Sequence, residues 1–249
     1  MSETSRDSYS TAANPVFRDA VSHFWESRRL QGAKQGATSG IRDYGHRTET
    51  TGGKQMDGFV KAIESMLKSC GVRASDIFSA SHLELPGYYR ATKKWDLLVM
   101  HGNRLVAAIE LKSQVGSFGN NINNRVEEAL GGADDIWTAY RDGGLGTYPA
   151  PWVGYLLLLQ DSQKSQKSVA VQEPHFPLLE EFRGASYARR YELFCRKLVR
   201  ERKYSSACLL LADAATAEQV LNYREPAADL GAEQFMGALR AAASAADQT

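Results

Sequence analysis

The stretch Trp95-Asp96-Leu97-Leu98-Val99-Met100-His101-Gly102-Asn103-Arg104-Leu105-Val106-Ala107-Ala108-Ile109-Glu110-Leu111-Lys112 reads as a β-hairpin. Two apolar runs rich in Val, Leu and Ile flank a Gly102-Asn103 tip, the chemistry of a tight turn between antiparallel strands. If the loop is Gly102-Asn103, Trp95 lies opposite Glu110 and Asp96 opposite Ile109. If it is Gly102-Asn103-Arg104, Asp96 lies directly opposite Glu110. Either register leaves the two carboxylates neighbours across the ladder. The second aims them at one point, because opposed residues share a face. Side chains alternate along a strand, so Lys112, two residues past Glu110, joins that face.

Three charges on otherwise apolar strands need a cause. Ionised groups are costly to bury unless they are paired or bound to metal. Glu110 and Lys112 alone suit a structural ion pair at a strand end. Asp96 adds a second carboxylate, and the three together suit a divalent ion, a phosphate and an attacking water. Mg2+ is typically held by one or two carboxylates plus substrate phosphate oxygens. It polarises the phosphoryl group and lowers the pKa of its water. A neighbouring lysine orients that water or offsets charge developing on the phosphate.

This constellation resembles the PD-(D/E)xK nuclease superfamily. Asp96 matches the first acid and Glu110-Leu111-Lys112 the ExK element, while Trp95 stands where the superfamily pattern has Pro. The resemblance implies that Asp96, Glu110 and the Leu111 carbonyl hold Mg2+, with Lys112 positioning or activating the water. Glu84, in Leu83-Glu84-Leu85-Pro86, is a rival first acid. It ranks lower because it lies outside the hairpin.

Working outward, 249 residues are ample for a buried core. The expected organisation is one α/β nuclease domain with a restriction-endonuclease-like core, a central mixed sheet flanked by helices. The core spans about 56–212, with extensions at 1–55 and 213–249. The apolar share of 43% and charged share of 24% are those of a soluble globular protein. Net charge is +1, which neither requires nor excludes a nucleic-acid partner. Cys70, Cys195 and Cys208 are widely separated and form no CxxC, so free thiols are expected rather than disulfides or a zinc cage. The polar start and the lack of any apolar run of spanning length point to a cytoplasmic protein with no membrane partner.

Spacing predicts a packing helix over 15–30, from Phe17, Ala20, Val21 and Phe24. Residues 31–54 hold six glycines among basic residues and read as a long loop, either a DNA-contacting arm or a solvated connection. A helix follows over 56–69, with an apolar stripe from Met56 to Leu67. Glu64 sits off that stripe. Surface glutamate is its ordinary reading, but superfamily members often place an extra acid on this helix, which makes it a further catalytic candidate. Residues 77–85 suit a first strand.

After Lys112 the chain is rich in Gly and Asn, and Asn123 or Asn124 suits the cap of a helix running to about Tyr140. Gly143-Gly144-Leu145-Gly146 follows a helix, so it is a connection rather than a phosphate loop. Val153–Leu159 and Ala207–Leu211 are continuous apolar runs, as in buried central strands. Residues 183–203 carry eight basic residues against two acidic, a local excess of six. A solvated helix face is the ordinary meaning, but the imbalance favours a phosphate-contacting face that includes Arg196 and Arg200.

A closer resemblance lies in Trp95-Asp96-Leu97-Leu98-Val99, Ala108-Ile109-Glu110-Leu111-Lys112-Ser113-Gln114, Ser117-Phe118-Gly119-Asn120-Asn121 and Asn123-Asn124-Arg125-Val126-Glu127-Glu128-Ala129. These segments are similar to the XhoI family of type II restriction endonucleases. The resemblance implies Mg2+-dependent cleavage of duplex 5′-CTCGAG-3′ after the first C by a homodimer, with a cognate DNA methyltransferase protecting host DNA. Asn side chains pair well with adenine edges. Asn120, Asn121, Asn123 and Asn124, with Arg125, are therefore the candidate DNA contacts beside the cut.

Overall fold

The structure is a computed structural model that describes residues 15–36, 47–219 and 222–246. In chain order the main elements are α1 (Pro15–Gly36), α2 (Arg47–Ser69), β1 (Ile77–Phe78), β2 (Glu84–Pro86), β3 (Thr92–Lys94), β4 (Leu97–His101) and β5 (Arg104–Gln114). There follow α3 (Phe118–Arg141), β6 (Trp152–Gln160), α4 (Gln163–Gln166), α5 (Tyr187–Arg200), β7 (Ser206–Ala212) and α6 (Ala232–Ala246).

Five strands form a mixed sheet in the order β1-β4-β5-β6-β7. β4 is antiparallel to β1 and β5, while β5, β6 and β7 run parallel. β6 and β7 are apolar almost throughout because both of their faces are covered, although β7 lies at the sheet edge rather than in its centre. Leu156, Leu158, Cys208 and Leu210 pack with α1, α2 and α6 on one face. Tyr155, Leu157, Leu209 and Leu211 pack with α3 and α5 on the other. No described helix is long and apolar enough to cross a membrane.

The hairpin combines the two registers. His101 pairs with Arg104, so the loop is Gly102-Asn103, and Gly102 adopts φ 58° as the turn requires. Val99 then pairs with Ala107 while Met100 pairs with Leu105, which leaves Val106 as an extra residue. This bulge shifts the register by one, and Leu97 meets Ile109. Without it, Leu97 would meet Ala108 and Asp96 would take the face of Ile109, against α2.

Three boundaries differ from the sequence expectation. The 31–54 segment is not one loop: α1 reaches Gly36 and α2 begins at Arg47, and residues 37–46 lie outside the described residues. A helical glycine costs only about 1 kcal/mol relative to Ala, and the α1–α2 contact outweighs it. Phe17 and Phe59 rings meet at 5.4 Å. A Cβ on Gly58 would sit 3.0 Å from the Ala20 Cα, so glycine is what lets the two helices close.

The expected strand over 77–85 is instead two short ones. Ile77–Phe78 joins the main sheet, and Glu84–Pro86 forms a separate hairpin with Thr92–Lys94. α3 starts at Phe118 rather than after an Asn123 or Asn124 cap. Gly116 (φ 64°) and Ser117 (φ 44°) turn the chain in left-handed conformations, and Gly116 N–H donates to Gln160 Oε1 at 3.1 Å. Buried Phe118 then stacks on Tyr187 and fixes the first turn.

Candidate active site

β5 carries Glu110 and Lys112 on the face that looks toward α3. Asp96 sits just before β4, where the ladder ends. Its backbone N–H donates to the Ile109 carbonyl at 3.1 Å. Its Oδ2 accepts from the Leu111 N–H at 2.7 Å. Asp96, Glu110, Leu111 and Lys112 line one cleft of about 590 Å³, with Lys93 and Arg125 among the other walls.

Glu110 is 3% exposed and carries several partners. Lys112 Nζ lies 3.0 Å and Lys93 Nζ 3.3 Å from its Oε1. The Tyr204 hydroxyl donates to its Oε2 at 3.0 Å. Tyr204 comes from the link between α5 and β7, and its hydroxyl also lies 3.3 Å from the Ala129 carbonyl. Lys93 Nζ sits over the Trp95 ring at 4.1 Å. α3 approaches closely enough because residue 132 is glycine: a Cβ there would lie 2.7 Å from the Lys93 Cε.

Burial pushes the Glu110 carboxyl up, but the charges of Lys112 and Lys93 and the hydrogen bonds of Lys112 and Tyr204 outweigh it, so the net direction is down. Asp96 goes the other way. Burial raises it, and Lys112 and the Leu111 N–H only partly offset that. Burial also opposes charge on Lys112, yet Glu110 and Asp96 hold its ammonium above the ordinary value.

The other sequence candidates lie elsewhere. Glu64 accepts from the Ser79 hydroxyl and pairs with Lys68 at 3.2 Å. Its helix lends Met56, not Glu64, to the cleft. Glu84 is exposed on β2, opposite Lys94. Asn120, Asn121, Asn123 and Asn124 lie in the first turns of α3, and of the DNA-contact candidates Arg125 is the one that lines the cleft.

Arg196 makes a two-pronged pair with Asp229, at 2.9 Å for each bond, and lies 2.7 Å from Glu192. Arg200 pairs with Glu201 at the surface. Arg183 meets Glu173, Lys197 meets Glu181 and Lys203 meets Asp134. The local excess of six is thus largely matched by acids from outside the run. Lys93, Arg90 and Tyr204 were not singled out by the sequence. Lys93 and Arg90 left one signal, their nearness to Asp96; Tyr204 left none.

Among the described residues no group of three or more His, Cys, Asp or Glu side chains could hold a metal ion. Besides Asp96 and Glu110, Glu127 and Glu128 of α3 line the cleft.

Comparison with known proteins gives the family. The family described as "Restriction endonuclease XhoI" matches residues 34–223. The chain belongs to the XhoI family of restriction endonucleases. It is 52% identical over 204 residues to the type II restriction enzyme BstVI of Geobacillus stearothermophilus, covering 80% of this chain and 91% of that one. It is 46% identical over 187 residues to the type II restriction enzyme XhoI of Xanthomonas vasicola, covering 73% of each. It is 47% identical over 161 residues to AbrI of Azospirillum brasilense, covering 64% of this chain and 72% of that enzyme. No solved structure matches the chain. Within this XhoI-family chain, the matched span includes Asp96, Glu110, Lys112, Lys93 and Tyr204.

Proposed function

We propose that this chain hydrolyses duplex DNA at 5′-CTCGAG-3′ after the first C, as a homodimer that requires Mg2+. The observation that carries the reading is the convergence of Asp96, Glu110 and Lys112 on one cleft in a chain of this family. The hexamer rests on the likeness to XhoI alone.

The donor set fits Mg2+. Asp96, Glu110 and the Leu111 carbonyl are hard oxygen donors, the type this ion takes. In a strand the N–H and C=O of one residue leave on the same edge. The Leu111 N–H already meets Asp96, so its carbonyl emerges on that side as well. Bound there, the ion supplies charge to the phosphoryl oxygens and acidity to a water.

The chain's own groups account for the rest. The charges of Glu110 and Asp96 favour the ammonium form of Lys112. Lys112 orients the attacking water or neutralises a phosphate oxygen. Tyr204 and Lys93 fix the rotamer of Glu110. The water oxygen bonds to phosphorus and gives up a proton, the bond from phosphorus to the 3′ oxygen breaks, and the departing 3′ oxygen takes up a proton from solvent. A palindromic site and a double-strand cut call for two such centres related by a two-fold axis.

The test is digestion of a mapped plasmid with and without Mg2+, followed by sequencing of the ends. Discrete cuts at CTCGAG with 5′ TCGA ends support the reading. Cuts at another sequence or at junctions would make the chain a different nuclease. Binding without cutting would leave Glu110 and Lys112 as a structural pair in a DNA-binding protein.

A further inference from the structure

The hairpin of β2 and β3 ends in a turn, Gly87 to Ala91, that the site so far described does not use. The turn exposes two large rings. Tyr88 is 52% exposed and Tyr89 71%. They contact each other edge to face, with centroids 5.0 Å apart.

The turn is nevertheless held firmly from beneath. Asp135 of α3, 1% exposed, accepts the Tyr88 N–H at 2.6 Å and the Tyr89 N–H at 2.9 Å through the same oxygen. Its other oxygen lies 2.5 Å from the Arg90 Nε. Gly87 N–H donates to the Ala91 carbonyl at 3.2 Å. A Cβ on Gly87 would sit 2.5 Å from the Arg90 carbonyl and 3.0 Å from Asp135 Oδ1.

A buried carboxylate is costly unless its hydrogen bonds are made. Here those bonds fix the backbone that carries two exposed rings. Rigid tyrosines offer contact area at low entropic cost on binding. Leaving half or more of their surface in solvent, they contribute less to the fold than buried rings would.

The surroundings say what they touch. Arg90, Thr92, Lys93 and Lys94 of the same hairpin line the cleft that holds Asp96 and Glu110. Tyr89 is one Cα step, about 3.8 Å, from Arg90. Tyr88 and Tyr89 do not line that cleft themselves, but they adjoin Arg90, which does, on a basic hairpin along which a polyanion bound for cleavage would run. Phosphates attract Arg90, Lys93 and Lys94 without regard to sequence. In the groove of a duplex an aromatic ring can also lie against a thymine methyl, a contact that depends on the base.

We propose that the Gly87–Ala91 turn is a base-reading tip, with Tyr88 and Tyr89 lying against the bases next to the scissile phosphate and Asp135 positioning them. This inference rests on the nuclease reading above.

Tyr88→Ser, Tyr89→Ser and the double variant test it, titrated by fluorescence anisotropy on a CTCGAG duplex and a scrambled one. Ca2+ replaces Mg2+ in these titrations. Wild-type cleavage of CTCGAG is established first. If wild type cuts another sequence, that sequence becomes the cognate duplex; if it cuts none, the nuclease reading fails and the tip with it.

Given cutting, the double variant should keep the wild-type melting temperature and lose about tenfold or more in affinity on the cognate duplex, with a loss of less than about twofold on the scrambled one. Asp135→Asn should weaken cognate binding in wild type and have no further effect in the double variant. Unchanged cognate affinity overturns the proposal. Equal losses on the two duplexes overturn it too, since the rings then touch only backbone. A shift in sedimentation of the free protein would assign the tip to a protein contact instead.

Discussion

Asp96 and Leu111 are joined by a single hydrogen bond, 2.7 Å from the Leu111 N–H to the Asp96 Oδ2. The bond ties the first carboxylate to the peptide that lies between Glu110 and Lys112. The three side chains thus share one rigid mount, and their spacing does not depend on a loop.

Asp96→Asn, Glu110→Gln and Lys112→Ala should each lower cleavage by about 10²–10³ or more, the cost of removing one preorganised electrostatic group. Duplex binding should persist in Asp96→Asn and Glu110→Gln, because removing a negative charge does not weaken the hold on a polyanion, whereas Lys112→Ala removes a positive charge and should weaken binding modestly. Single-turnover cleavage and anisotropy on the same samples separate the two effects. Near-normal cutting by Glu110→Gln would remove it from the chemistry.

Tyr204→Phe deletes the hydroxyl that holds the Glu110 Oε2 and leaves a buried acceptor short of a partner. Urea denaturation should register a loss of about 1–3 kcal/mol. Cleavage should fall by roughly ten- to a hundredfold through the displaced carboxylate, with DNA affinity unchanged. Wild-type stability together with wild-type cleavage would show that the bond has no consequence.

Deletion of Val106 removes the bulge and returns the whole hairpin to the register set by its two-residue turn. Asp96 then takes the face of Ile109, and cutting should be lost. Val106→Ala keeps the bulge and should cost about 1–2 kcal/mol for the buried methyl groups while preserving activity. Circular dichroism shows whether the deletion variant is folded. A folded, active deletion variant would refute the role given to the bulge.

The Arg196–Asp229 pair concerns acid stability. Arg196 holds the Asp229 carboxyl below the usual range through its hydrogen bonds and charge. A depressed folded pKa gives stability that is present above the unfolded value, about 3.9, and is lost as pH falls through the lower folded value. The pair is about half exposed, so the amount is below about 1 kcal/mol. Urea midpoints measured from pH 5 downward should fall less steeply for Arg196→Ala than for wild type.

These results show which features a sequence displays. Asp96, Glu110 and Lys112 were legible because they lie in one hairpin, where alternation alone relates them. Val106 was not, because a bulge residue looks like any other apolar strand residue. Tyr204 is 94 positions from Glu110 and meets it only through the packing of β5, β6 and β7. The partners of the basic run were hidden for a related reason: Glu173, Asp229 and Asp134 lie outside it in sequence and beside it in space. The asparagines read as a loop, yet the left-handed pair Gly116 and Ser117 had already turned the chain into α3.

Lys93, Lys112 and Tyr204 have a consequence for handling the protein. They give Glu110 a complete set of partners from within the chain. Assembly of the native state then has no need of a divalent ion, unlike small domains whose metal supplies the folding energy. Purification and storage in a chelator should leave the melting temperature unchanged while cleavage is silenced. Adding the ion back should restore cutting at once, without a refolding lag.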